Sequence, residues 1–240
     1  MAAAVSYLTS AGDGATATTY TFSSQTLGVA AADRYIVVLV GSSSISTGGF
    51  ASVSVGGVSA TEVAEEATGN PADVAGMWIA LVPTGTTGDV VVTCNASNAR
   101  CGIGLWRLTG VDSITPHAFG QDNGTLGANP SASTTVAVES GGMLVAGAYT
   151  SNGTTVSLAW TGVTEDFETV AELNSKVSGG SDDSGTVEVG KTVTVDCTST
   201  NTRVAMIAAS WSPAAAGSLI KSVNGVLRAN IKSWNGVILE

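Results

Sequence analysis

The sequence predicts an all-β protein, an antiparallel β-sandwich of jelly-roll-like type built from two similar halves and followed by a short β-hairpin tail. Three observations carry this. Only 12% of the 240 residues are charged, and Gly, Ala, Ser, Thr and Val dominate, a composition that suits strands and tight turns better than amphipathic helices. Short runs of β-branched and aromatic residues alternate with Gly/Pro/Asn-rich turns, and no segment sustains a helical apolar period. The third observation is a repeat. Residues 90–100 read VVVTCNASNAR and residues 193–203 read VTVDCTSTNTR, identical without a gap at Val90/Val193, Val92/Val195, Cys94/Cys197, Asn98/Asn201 and Arg100/Arg203, all at an offset of 103. Alternate residues share one face of a strand, so this set reads as a buried face running into a turn that ends in Arg. Val53-Ser54-Val55 against Val156-Ser157-Leu158, and Thr61-Glu62 against Thr164-Glu165, keep the same offset.

In chain order, residues 16–24 (TATTYTFSS) predict a first strand, and residues 34–40 (RYIVVLV) predict a central strand buried on both faces. The counterpart of the latter is MLVAGA at 143–148, offset by 107, which predicts a following loop four residues shorter in the second copy. Residues 51–55 lead into Gly56-Gly57, a hairpin signal, and 60–64 continue it. Strands at 77–82, 90–94 and 102–108 complete the first half. The second half predicts strands at 134–138, 143–149, 156–160, 168–173, 186–189, 192–197 and 204–211, while 112–133, with Pro116, Pro130 and several Gly and Asn, reads as loop. The body thus spans 1–213, with halves at about 15–110 and 130–213, and the tail spans 214–240. A single sandwich is expected, because about 95 residues with few large apolar side chains make a marginal core alone.

The chain carries a net charge of −10, which speaks against binding nucleic acid or anionic membrane. Its distribution is uneven. The last 27 residues hold Lys221, Arg228 and Lys232 against Glu240, a balance of +2, so residues 1–213 carry −12. No apolar run is long enough to span a membrane, and MAAAVSYLTSAGDG has no basic n-region of a signal peptide. Cys94, Cys101 and Cys197 are expected as free, buried thiols, because the repeat keeps Cys197 at the place of Cys94 and replaces Cys101 with Val204.

Catalytic signals are sparse. The single histidine, His117, lies in a Pro-containing loop, so no histidine-based metal cluster or serine triad is expected. Carboxylates gather at Glu65-Glu66, at Glu165-Asp166-Glu168 and at Asp182-Asp183. Paired acids are what glycoside hydrolysis uses, and SDDSG at 181–185 has calcium-binding residue types, but adjacent acids point to opposite faces of a strand and are commonly solvated in loops. The expectation is therefore a protein without catalytic residues, cofactor or metal. Trp78, Trp106 and Trp211 lie in apolar strands and read as core; Trp160, after an alternating strand, is the candidate ligand contact, through stacking on a sugar.

The most specific feature is the tail. Ile220-Lys221-Ser222-Val223-Asn224-Gly225-Val226 recurs as Ile231-Lys232-Ser233-Trp234-Asn235-Gly236-Val237, with a period of 11. Each unit ends in Asn-Gly, the strongest short hairpin signal, and hairpins this small are not stable alone in water. Ile220, Val223, Val226, Ile231, Trp234 and Val237 are accordingly expected to form an interface, with Trp234 as its anchor.

These IKSxNGV units resemble repeats in structural proteins of tailed phages, and RYIVVLV, VSVGGVSAT and VPTGTTGDVVVT are similar to a group of β-sandwich virion proteins. The resemblance implies a non-enzymatic virion component assembled in the host cytoplasm. A tail fibre or receptor-binding appendage subunit for host attachment is the leading expectation, with capsid decoration, cement or head-fibre protein as the alternative and a carbohydrate-active sandwich enzyme as a remote one. Expected partners are other virion proteins, copies of the chain itself in a ring or trimer, and a host surface glycan or protein.

Overall fold

The computed structural model describes residues 3–44, 49–69, 73–151, 157–172, 175–198 and 202–215, and four two-residue strands of the tail. The first half contains β1 (Ala4–Asp13), β2 (Ala17–Thr26), β3 (Tyr35–Ser44), β4 (Phe50–Val55), β5 (Val58–Ser59), β6 (Thr61–Ala67), β7 (Asp73–Leu81) and β8 (Thr87–Thr109). The second contains β9 (Ala118–Gly127), β10 (Ser131–Val138), β11 (Met143–Ser151), β12 (Ser157–Thr161), β13 (Thr164–Glu172), β14 (Ser175–Asp182), β15 (Glu188–Thr198) and β16 (Thr202–Trp211). Two tail hairpins follow, β17 (Ser222–Val223) with β18 (Val226–Leu227) and β19 (Ser233–Trp234) with β20 (Val237–Ile238). The protein is all-β and antiparallel, in a sandwich built from two similar halves.

Both halves follow one plan. In the second, a five-stranded sheet β13-β14-β11-β16-β9 lies with a three-stranded sheet β10-β15-β12. In the first, β6-β7-β3 continues through the later part of β8 to β1, while the earlier part of β8 pairs with β2 and β4. One long strand therefore does the work of both β15 and β16. The correspondence is residue by residue: Val37 pairs with Trp106 as Val145 pairs with Ala209, and Val53 pairs with Val92 as Trp160 pairs with Val195. Thr61-Glu62 and Thr164-Glu165 lie opposite Ile79-Trp78 and Ser181-Gly180, and a bulge follows each at the same place.

The pairing also corrects several sequence expectations. β3 and β11 correspond at an offset of 108, not 107. Val53 corresponds to Trp160, so its match with Val156 is coincidental. The four-residue deletion falls after β12, where the second half has no counterpart of β5, rather than before it. The halves begin earlier than expected, because β1 and β9 belong to them. Strand β9 (AFGQDNGTLG) was expected as loop, and β14 (SKVSGGSD) was not expected at all. Both are poor in β-formers and depend on tertiary pairing, β9 on β16 and β14 on the central β11.

Three apolar clusters replace the single core. One lies between the sheets of the first half, around Ile36, Val38, Val53, Val92 and Leu105, and one between the sheets of the second, around Leu144, Ala146, Leu158, Val195 and Met206. The third joins the halves through their five-stranded sheets, with Leu39, Met77, Trp106, Tyr149, Phe167, Ile207 and Trp211. Burying a second face on each five-stranded sheet supplies what a half of this composition lacks alone. Across this junction β3 faces β11, β7 faces β16, β8 faces β14, β6 faces β9 and β1 faces β13. Each of these contacts maps onto another, or onto itself, when the halves are exchanged, which defines a local twofold axis running along β3 and β11.

Large side chains at this junction meet glycines. A Cβ on Gly41 would stand 2.4 Å from Tyr149, one on Gly104 2.1 Å from Phe167, and one on Gly179 2.5 Å from Trp106. The exchanged positions hold Ile207 in place of Gly104, Ala64 in place of Phe167, Met77 in place of Gly179 and Ala209 in place of Trp106. Bulk has moved from one side of the axis to the other, which keeps the packing dense without exact symmetry. Tyr7 stacks on Phe167 with ring centroids 5.3 Å apart, and Trp106 packs against the same ring at 5.5 Å.

Candidate functional site

The arginine that ends each repeat, Arg100 and Arg203, marks one end of this junction. Arg100 Nη1 of the first half donates to Ser175 Oγ of the second. The counterpart of Ser175 in β7 is Asp73, and the positive charge of Arg203, counterpart of Arg100, acts on the Asp73 carboxyl. Asp73 accepts further bonds from Ser43 Oγ at 2.9 Å and from the Ser151 N–H at 3.0 Å, and from the Ser151 hydroxyl. Tyr149 donates to Ser43 Oγ at 3.2 Å. Burial pushes the Tyr149 phenol well up, and burial also raises the Asp73 carboxyl, against the bonds from Ser151 and Ser43. Next to them Asn98 Nδ2 donates to Ser42 Oγ at 2.8 Å, which donates to the Arg100 carbonyl at 2.6 Å, and Thr150 bonds Thr202. The carboxylate is held by donors from both halves, so the cluster forms a polar lock between them. The Arg was visible in the repeat; its partners, contributed by strands far away in sequence, were not.

The point at which the chain leaves the body lies elsewhere. β16 starts at the polar lock and runs to Trp211, beyond which Val111 bridges Pro213 and the Ala214 N–H donates to the Gly110 carbonyl at 2.7 Å. β1 begins beside Thr109 at this same end. Buried Arg34 ties the loops there together, donating to the carbonyls of Leu27, Gly28, Val82 and Thr84. The β1–β2, β3–β4, β6–β7, β9–β10, β11–β12, β13–β14 and β15–β16 connections all lie at the opposite end. Ten residues of strand separate the two ends, roughly 30 Å. Exposed Val29, Val58, Leu81, Phe119, Val187 and Val189 lie toward the end from which the tail leaves.

The carboxylates singled out in the sequence are mostly engaged by their own half. Glu65 Oε2 accepts the Phe50 N–H at 2.8 Å, and Glu168 Oε2 accepts the Leu158 N–H at 2.8 Å, in equivalent positions. Glu168 also pairs with Lys176. Glu66 reaches across the junction to Asn123, and Asp166 accepts from Trp106 Nε1 and Ser181 Oγ, both at 2.7 Å. Asp182 bonds Lys191 at 2.6 Å; burial would raise its pKa, but Lys191 and Ser184 together hold it below the ordinary value. Among the described residues no group of His, Cys, Asp and Glu is arranged to hold a metal ion. His117 sits 3.4 Å from Glu139.

Trp160 is half-buried against the core of the second half, and its indole N–H donates to Ser178 Oγ at 2.9 Å. That bond leaves only part of the ring for a ligand. Trp78, Trp106 and Trp211 are buried as expected, and all three cysteines are free and buried. In the tail, Val223 pairs with Val226 and Trp234 with Val237, across Asn224-Gly225 and Asn235-Gly236. Ile220 and Ile231 lie outside the described residues. Comparison with protein families, with curated proteins and with solved structures finds no match to this chain.

Proposed function

We propose that the protein is a non-enzymatic structural component of a tailed-phage particle, a tail-fibre or receptor-binding appendage subunit that takes part in host attachment. The observation that carries this reading is the polarity of the body. Its C-terminal repeat leaves at one end, beside the N-terminus, while connections from both halves gather at the other, braced beneath by the Asp73–Ser151 and Arg100–Ser175 hydrogen bonds. An element anchored through its tail and recognising through its far end needs this layout. The acidic body is matched by a basic tail, which favours docking between copies or onto a virion partner. The far end is where a host glycan or protein would be met.

A second reading, capsid decoration or head fibre, is favoured by the apolar residues around the tail-bearing end, which suit broad docking on a lattice. Labelling particles with an antibody against the body, together with copy-number measurement, separates the two. Label confined to the tail in a few to tens of copies supports the appendage; label over the head at lattice number replaces it with the decoration reading; absence from purified particles overturns both.

A further inference from the structure

Among the described residues, the first half covers a sheet edge that the second leaves open. In the first, β5 lies along β4, with Ser54 opposite Ser59, Val55 opposite Val58, and the Ala60 N–H donating to the Val53 carbonyl at 2.9 Å. The intervening turn places Gly56 and Gly57 both at positive φ, 57° and 81°, as a two-residue type I′ hairpin requires. In the second half, β12 ends at Thr161 and passes through Gly162-Val163 directly into β13. Among the described residues no strand lies along its outer edge. The first N–H of that edge, at Leu158, is taken by Glu168, as that of Phe50 is by Glu65; the opening therefore begins at Trp160, the counterpart of Val53.

The piece that is missing occurs twice in the tail. Ser54-Val55-Gly56-Gly57-Val58-Ser59 matches Ser222-Val223-Asn224-Gly225-Val226-Leu227 and Ser233-Trp234-Asn235-Gly236-Val237-Ile238 in position, and the flanking strand residues of all three pair in the same register. We propose that the outer edge of β12 is a strand-addition site, and that its occupant is the second arm of a C-terminal hairpin, Val226–Leu227 or Val237–Ile238, from a second copy of the chain. This rests on reading the tail as an assembly element. The edge opens toward the end of the body from which the tail leaves, so copies standing side by side bring each tail to a neighbour's β12. Added backbone bonds and cover for the half-exposed Trp160 ring supply the attraction, and the basic tail meets an acidic body. By correspondence, Leu227 or Ile238 would lie opposite Thr161, as Ser59 lies opposite Ser54.

Cysteine pairs test this, since directly opposed residues on paired strands come within disulfide range and the native thiols are buried. A full-length Thr161→Cys chain carrying one tag is mixed with a Leu227→Cys or Ile238→Cys chain carrying another, under mild oxidation. The expected result is a disulfide joining the two tags, and none when Ser131→Cys, exposed on β10, replaces Thr161→Cys. A bond formed only within single chains bearing both cysteines overturns the second-copy assignment. No bond in either arrangement, or equal yield with Ser131→Cys, overturns the site. Incorporation into particles is scored separately: if removal of residues 214–240 abolishes it while no cross-link forms, the assembly reading stands and this inference alone falls.

Discussion

Leu39 and Gly147 hold equivalent places in the two halves and face each other across the local axis, where a Cβ on Gly147 would stand 2.4 Å from Leu39 Cδ2. A true twofold would set Leu against Leu or Gly against Gly, a clash or a gap. Unlike residues solve this, so each half is shaped for the other and not for its own copy. Gly147→Ala is therefore expected to cost about 1–3 kcal/mol by overpacking, read as a lower urea midpoint. The exchange Leu39→Gly with Gly147→Leu should recover much of what the single changes lose; strictly additive losses in a double-mutant cycle would show that the two positions do not share one space.

The pH dependence follows from buried carboxyls. Burial raises the Asp73 and Glu65 carboxyls above 3.8 and 4.5 respectively, outweighing the Ser151 and Ser43 bonds to the first and the Phe50 N–H to the second. A carboxyl raised in the folded state holds its proton more tightly there than in the unfolded chain, so it favours folding as pH falls from neutral through the raised value, and the gain levels off below the ordinary one. Asp182, held low, acts in the opposite sense, and its contribution is lost as pH drops below 3.8. The urea midpoint should be higher near pH 5 than near pH 7 and decline again in stronger acid. Asp73→Asn should flatten the upper limb.

Arg203→Ala leaves the buried Asp73 carboxylate without the positive charge that acts on it. Loss of that charge should lower stability, and the loss should shrink on the Asp73→Asn background, where no charge needs compensation. Denaturation of the four variants in a cycle measures this; equal losses on both backgrounds would place the role of Arg203 elsewhere.

Burial pushes the Cys94 thiol up to about 11 and Cys101 well above the ordinary 9.0, and it raises Cys197 as well. A thiol-reactive dye at neutral pH should label none of the three in the native protein and all three in denaturant, without a prior reduction step. Any disulfide found by mass spectrometry would contradict this.

Ending the chain after Pro213 should leave a folded body, with an unfolding transition close to that of the full protein, that no longer enters particles. Trp234→Ala should weaken assembly by about 2 kcal/mol or more, the scale of an interface hot spot. Normal incorporation of the shortened chain would remove the tail from assembly.

The sequence disclosed the architecture where periodicity and repetition coincide. The alternating identities of the Val90 and Val193 segments, and Thr61-Glu62 with Thr164-Glu165, occupy corresponding strands. It hid whatever depends on a distant partner. Gly179 and Gly180 make β14 look like a loop, yet Gly179 is small because Trp106 lies over it. Asp73 and Ser175 share no residue type, although they receive corresponding arginines. The carboxylates Glu65 and Glu168 suggested chemistry because nothing in one dimension shows that each faces the first N–H of a neighbouring strand.

Each half is closed by its own first and last strands, β1 on β8 and β9 on β16. During synthesis, β1 must therefore wait for about 100 further residues, roughly 5–20 s at ordinary elongation rates. The first half is then fully synthesised, but Leu39, Met77 and Trp106 lack the cover of the second half until β11 and β14 arrive. Translation speed through residues 110–182 thus sets how long a sticky sheet is exposed, and slow codons there would act as a determinant of yield without altering a single side chain.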